Sequence, residues 1–306
     1  LTSVAQLALA SWTIPPYFTA TVILSAVIYG RGFRRLHTQM PQRFPLRRLG
    51  TFMGGLTALL IAISSPLAAF DDLLLQVHMV QHMLLMFVAP PLILLGAPQI
   101  PMLRGLPLAA VKPLIRPLLT SRKLARIVDL LANPAVGWIA LCAATWGWHA
   151  PGPYQVALRS ETWHKVEHWC FLMSALLFWW PVVQPWPSRE RWPRWTMVPY
   201  LLLADVQNTA LSALFTFCGR VIYPYYETVP RIAGTAPLSD QIVAGVIMWV
   251  PGSLFFLIPG AVIVFNLLSP RNHIDPQAIS GFKPGRTFAP PVRSLPNHPE
   301  RPAGAC

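Results

Sequence analysis

Four of the eight histidines fall in two pairs whose spacing could hold a metal ion. Three residues separate His78 from His82, and three separate His164 from His168. Four residues of α-helix advance the chain about 6 Å and rotate it by roughly 400°, so the two imidazoles of each pair share a face and can point at one object. Two such pairs on facing helices supply four nitrogen ligands, enough for tetrahedral zinc or for copper, and His149 offers a fifth. Met79, Met83 and Met86 are interleaved with the first pair. Thioethers favour Cu(I), although methionines in an apolar helix also serve as plain packing. A lone histidine in such a segment is ordinarily hydrogen-bonded within the fold. Five together, four of them in a repeated pair spacing, point instead to a metal or haem site, with a proton path or an interfacial hydrogen-bond cluster as the remaining readings.

The elements that must position these rings are apolar. Hydrophobic residues make up 54% of the 306-residue chain and charged residues only 11%, against about 25% charged in an ordinary soluble protein. The composition is that of an integral membrane protein. Apolar runs recur around residues 13–30, 47–65, 73–97, 134–149, 164–184, 196–218 and 241–268, each near the ~20 residues that cross a bilayer. The expected fold is therefore all-α, a polytopic bundle of about seven transmembrane helices over residues 1–268. No lysine or arginine precedes Arg31, so the first run lacks the positive flank of a signal peptide and is expected to remain as a span.

Charge sets the expected orientation. Of the 24 basic residues, only Arg159, Lys165, Arg220 and Arg231 fall outside the loops 31–48, 98–133 and 185–195 and the tail after 269. By the positive-inside rule those loops and the tail are cytoplasmic, which puts the N-terminus outside and the C-terminus inside. The formal charge of +13 is spread in short blocks between apolar runs, so it reads as loop charge and not as a nucleic-acid surface. Residues 269–306 are proline-rich and poor in apolar residues, which predicts a disordered cytoplasmic tail. With this topology His78, His82, His149, His164 and His168 all lie toward the outer ends of three consecutive spans.

Other polar residues need an explanation in an apolar chain. Asp71 and Asp72 stand just before the third run, either as helix N-terminal charges or as groups that support or feed the histidines. Asp205, Gln207 and Asn208 fall mid-way along the sixth run and must face the bundle interior, for proton or ion handling or for helix-to-helix bonding. Asp240 and Gln241 open the seventh run, where Asp240 could be a simple N-cap. Met248 on the same run could be a ligand only if a kink at Pro251 turned it toward the histidines. Prolines 90, 91, 181, 199, 251 and 259 fall within runs and invite kinks. The cysteines, Cys142, Cys170, Cys218 and Cys306, form no C-x-x-C pair and suggest no zinc ribbon or dithiol.

The residues from His78 to Pro98 read H-x-x-x-H-x-x-L-x-x-x-x-P-P-L-x-x-x-G-x-P. With Trp148-His149-Ala150-Pro151, with His164 and His168, and with Asp240-Gln241 to Met248-Trp249-Val250-Pro251-Gly252, the chain resembles the multi-spanning CtaG family of cytochrome c oxidase assembly factors, those associated with caa-type oxidases. The resemblance covers about residues 45–268. It implies a multi-pass protein of the bacterial plasma membrane that matures the oxidase, with copper held by His78, His82, His149, His164 and His168 and passed to the binuclear centre of subunit I, or to other assembly factors. Asp71, Asp72, Glu167, Asp240, Met79 and Met83 would support that set, and no catalytic turnover is required. Zinc is the alternative metal.

Two rival readings use the same residues. His164-Lys-Val-Glu167-His168 is an H-x-x-E-H pattern, in which two histidines bind zinc and a glutamate activates water. A seven-span bundle with several histidines near one face is also similar to membrane hydrolases related to alkaline ceramidases. Against this, Glu167 stands beside Lys165 and can be a surface residue. The third reading is a b-type cytochrome with axial histidines from the third and fifth runs.

Overall fold

The structure, a computed structural model, describes residues 11–107, 121–188, 192–232 and 234–269. It is helical, with no strand among the described residues. In chain order the helices are α1 Pro16–Gln39, α2 Leu46–Ser64, α3 Leu67–Phe70, α4 Leu75–Leu95, α5 Gln99–Gly105, α6 Arg122–Leu131, α7 Pro134–His149, α8 Pro151–Arg159, α9 Glu161–Val183, α10 Met197–Phe217, α11 Tyr225–Thr228 and α12 Pro237–Leu268.

The apolar runs are carried by α1, α2, α4, α7, α9, α10 and α12. By length and composition, α4, α9, α12 and the segment Leu46–Phe70 can each cross a membrane alone. A fifth span results if α6 and α7, bent by 63° at their junction, are taken together. The bend has a local cause. Asn133 accepts the Ala135 backbone N–H at 3.0 Å and Pro134 occupies the first helical position, so α7 starts afresh. α6 buries none of its residues. It carries Arg122, Lys123 and Arg126 beside exposed Ile127, Val128, Leu130 and Leu131, a composition suited to lying along a membrane surface. Along α12 the exposed residues Val250, Leu254, Leu257, Ile258, Val262 and Phe265 form an apolar outer face, as a lipid-bathed helix requires.

The chain divides at Leu267 into two units. Beyond Ser269 the second unit, with the expected proline-rich tail, lies outside the described residues. Within the first, glycines let helices cross closely. A Cβ on Gly32 of α1 would collide with the Pro101 carbonyl of α5, and one on Gly105 with the Ile28 carbonyl of α1. At Gly55 of α2 it would meet Ile93 of α4 at 2.6 Å.

Pro181, Pro251 and Pro259 lie inside helices that continue through them, and Pro199 falls in the first turn of α10, where no intrahelical N–H bond is lost. Pro90 and Pro91 are preceded by a π turn, Leu84–Val88. Pro90 has no N–H to give the Met86 carbonyl four residues back. The buried Trp179 indole of α9 donates to that carbonyl at 2.9 Å instead. A side chain from a neighbouring helix thus satisfies the backbone group that the proline frees.

Candidate metal centre

The N-terminus of α4 is fixed from outside its own segment. Leu74 has no capping side chain. Asp240 of α12 accepts the Leu75 N–H at 2.6 Å and the Gln76 N–H at 3.1 Å. Its carboxylate therefore caps another helix, which corrects the reading of Asp240 as a cap for its own. Gln81 then sets how α4 is rotated against α2, donating from Nε2 to the Ala62 carbonyl at 2.8 Å. With start and rotation fixed, His78 and His82 point inward, almost wholly buried, with ring centroids 4.3 Å apart.

α9 brings the second pair against the first. The His164 and His168 rings are also 4.3 Å apart. His164 stacks on His78 at 5.1 Å, and His168 lies 5.6 Å from His82 and 6.2 Å from His78. His149, at the C-terminus of α7, lies 5.8 Å from His82. Its Nδ1 donates to the Thr145 carbonyl at 2.7 Å, which leaves Nε2 as the nitrogen with a free lone pair. All five histidines singled out in the sequence therefore meet.

Glu167 corrects the expectation of a surface residue. Its side chain is fully buried, with Oε2 3.8 Å from His78 Nε2 and Oε1 3.8 Å from His82 Nε2. Asp71 and Asp72 part company. Asp71 is buried, its Oδ2 3.8 Å from His164 Nε2, whereas Asp72 is exposed. Burial, and after it the neighbouring Asp72 carboxylate, push the Asp71 carboxyl up to about 7. The Gln207 side chain accepts from the Trp146 indole at 2.9 Å. Cys142, Cys170 and Cys218 are free and partly exposed, and Cys306 lies outside the described residues.

A tyrosine cover was not read from the sequence. The Tyr154 and Tyr226 hydroxyls are 3.1 Å apart, Tyr226 donates to the Asp71 carbonyl at 3.1 Å, and Tyr223 donates to the His149 carbonyl at 2.7 Å. The Tyr154 ring stacks on Tyr223 at 3.9 Å and packs 5.2 Å from His78. Gln241 holds the loop that carries Tyr223, accepting from the Ile222 N–H at 2.7 Å. The cluster of three tyrosines within four residues, Tyr223 to Tyr226, was the available signal.

The donor set fits a cation. Both ring nitrogens of His78 and His82, the Nε2 of His149, His164 and His168, and both carboxylate oxygens of Glu167 are buried without a hydrogen-bond partner. Polar atoms are seldom left so unless something else binds them. One ligand atom each from His78, His82 and His168 come within 4.8 Å of one another, and so do those of Asp71, His78 and His164. Separations of 3.8 Å are too long for hydrogen bonds. They lie within the roughly 4 Å that can separate two ligands each about 2 Å from one ion. Beside His82 lies a small cavity of about 10 Å³, lined by Met79, His82, Met83, Met86, Phe87, Thr145, His149, Asn208 and Met248. Met248 thus lines the same cavity as His82 and His149.

Comparison with known proteins agrees with the motifs. Residues 27–269 match the family described as cytochrome c oxidase caa3 assembly factor. Uncharacterized proteins of Mycobacterium bovis and Mycobacterium tuberculosis are each 25% identical over 247 residues, and one of Mycobacterium leprae over 243, covering 78% of this chain and 36% of each relative. The chain thus spans about a third of the length of these curated relatives. No solved structure matches it.

Proposed function

The chain belongs to the family of cytochrome c oxidase caa3 assembly factors, and from that membership we propose that it binds copper at the buried histidine cluster and passes it toward the oxidase binuclear centre. The observation that carries this reading is the set of imidazole nitrogens from α4, α7 and α9 that converge, buried and without protein partners, around the Glu167 carboxylate. Copper here is cargo, so the site must bind and release. Histidine and thioether ligands suit that, because an imidazole competes for protons and a thioether carries no charge. In this reading α1, α2, α4, α7, α9, α10 and α12 all span the bacterial plasma membrane with the N-terminus outside. The cluster then faces the compartment where the oxidase receives its metal, and the partner is oxidase subunit I or another assembly factor.

The compactness of the site favours an ion over the rival readings. Rings at 4.3 to 6.2 Å leave no gap for a haem macrocycle between them. The adjoining cavity of about 10 Å³ has room for roughly one water-sized body. A hydrolase would need space for a water, an acid and a scissile group together. The protein is accordingly proposed not to be an enzyme, with zinc as the alternative metal.

The test is elemental analysis of the full chain purified in detergent, native and with His78→Ala and His82→Ala together, paired with copper analysis of the oxidase from the same cells. Native protein is expected to hold copper that the double variant lacks, and oxidase from variant cells to be copper-poor. Native protein that takes up neither copper nor zinc on titration would overturn the reading.

A further inference from the structure

The cavity beside His82 has a chemistry of its own. Four methionines line it, Met79, Met83 and Met86 from α4 and Met248 from α12, all almost completely buried. Three come from the helix that carries His78 and His82, spaced so that their side chains fall on the adjoining face. The fourth arrives from a helix 150 residues and more along the chain. His82 and His149 also line it, and the His149 Nε2 and Thr145 Oγ1 are buried without partners. No carboxylate lines this cavity, and of the five clustered histidines it takes in His82 and His149 but not His78, His164 or His168. Gly252 keeps it compact. A Cβ there would press on the Asn208 amide at 2.8 Å and meet the Met83 methyl at 3.7 Å.

We propose that this methionine cavity is a second metal station, selective for Cu(I), adjoining the histidine and carboxylate site and joined to it through His82 and His149. The inference rests on the copper-handling reading above and goes further, to the oxidation state and to an internal order of sites. Neutral thioethers and imidazole favour a soft ion, and burying one positive charge among neutral ligands costs less than burying two. The donors grade from Asp71, His164 and His78, through His78, His82 and His168, to His82, His149 and the methionines. Neighbouring sets share one histidine, so an ion can pass between them without leaving its last ligand.

The test uses full-length protein in detergent with the four cysteines changed to serine, so that methionine is the remaining source of sulfur. It is loaded with Cu(I) under a reductant, and in parallel with Ag(I), a soft monovalent ion that does not change oxidation state. X-ray absorption is expected to show sulfur among the nearest neighbours of copper. Replacing Met79, Met83, Met86 and Met248 by leucine, which keeps the volume nearly constant, should remove that sulfur. It should weaken Cu(I) and Ag(I) about tenfold or more and leave Zn(II) binding unchanged. Copper surrounded only by nitrogen and oxygen in the protein with all four methionines overturns the proposal, whatever the fate of the leucine variant. So does an equal loss of Zn(II) and Cu(I). If that protein binds no metal of any kind, the functional reading itself fails, a result distinct from Zn(II) binding without Cu–S scattering.

Discussion

Glu167 and His78 face each other with Oε2 and Nε2 3.8 Å apart, both fully buried, and neither atom has a hydrogen-bond partner. The second oxygen of the same carboxylate stands equally far from His82. One side chain of α9 thus addresses both histidines of α4 from a distance that an ion would fill.

Glu167→Gln keeps the shape and removes the charge. It is expected to weaken metal binding by about ten- to a hundredfold. In the metal-free protein the same change should raise the thermal midpoint, because a buried carboxylate without a hydrogen bond is costly. Isothermal titration and thermal unfolding in detergent measure the two effects. Unchanged affinity would place Glu167 outside the binding set.

Asp240→Ala should loosen α4 at its N-terminus, where the Leu75 and Gln76 N–H groups lose their acceptor. Loss of a cap costs about 0.5–2 kcal/mol. His78 sits in the first turn of the helix, so metal affinity should fall along with stability. Asp240→Asn, which retains one acceptor, should recover part of both. Hydrogen exchange at residues 75–78 reports the fraying directly.

Trp179→Phe keeps the aromatic packing and deletes the donor to the Met86 carbonyl. An unpaired buried carbonyl costs about 1–3 kcal/mol, so the thermal midpoint should drop measurably. A midpoint equal to that of the native protein would mean that the π turn satisfies this carbonyl by other means.

Asp71 provides a pH signature. Its carboxyl is raised from an ordinary value of 3.8 to about 7, mainly by burial. The folded state therefore holds a proton that the unfolded chain has given up. This contribution to stability is complete below about pH 3.8 and is lost as pH rises to about 7. Asp71→Asn has no such slope. The midpoint of the metal-free variant minus that of the native protein should grow from pH 4 to pH 7 and level off above. A difference that stays flat across this range counts against a buried, protonated Asp71.

Sequence alone determined what depends on local periodicity. Apolar runs of membrane length became helices because the composition leaves few other ways to satisfy the backbone, and the spacings of His78/His82 and His164/His168 placed each pair on one face whatever the neighbours do. The match to the assembly-factor motifs was legible for the same reason, since it rests on residues and their spacing. Tertiary structure decided everything that depends on which faces meet. Glu167, one residue from His168, looked like a neighbour of Lys165 and is instead sealed between two helices. Asp240 caps a helix more than 160 residues earlier in the chain. Tyr154, Tyr223 and Tyr226 close over Asp71 and His149, and Met248 joins Met79, Met83 and Met86. Periodicity gives the face on which a side chain lies, but not the partner across from it. That partner is set by helix crossings, which glycines such as Gly32, Gly55 and Gly105 make close enough for donors far apart in sequence to share one site.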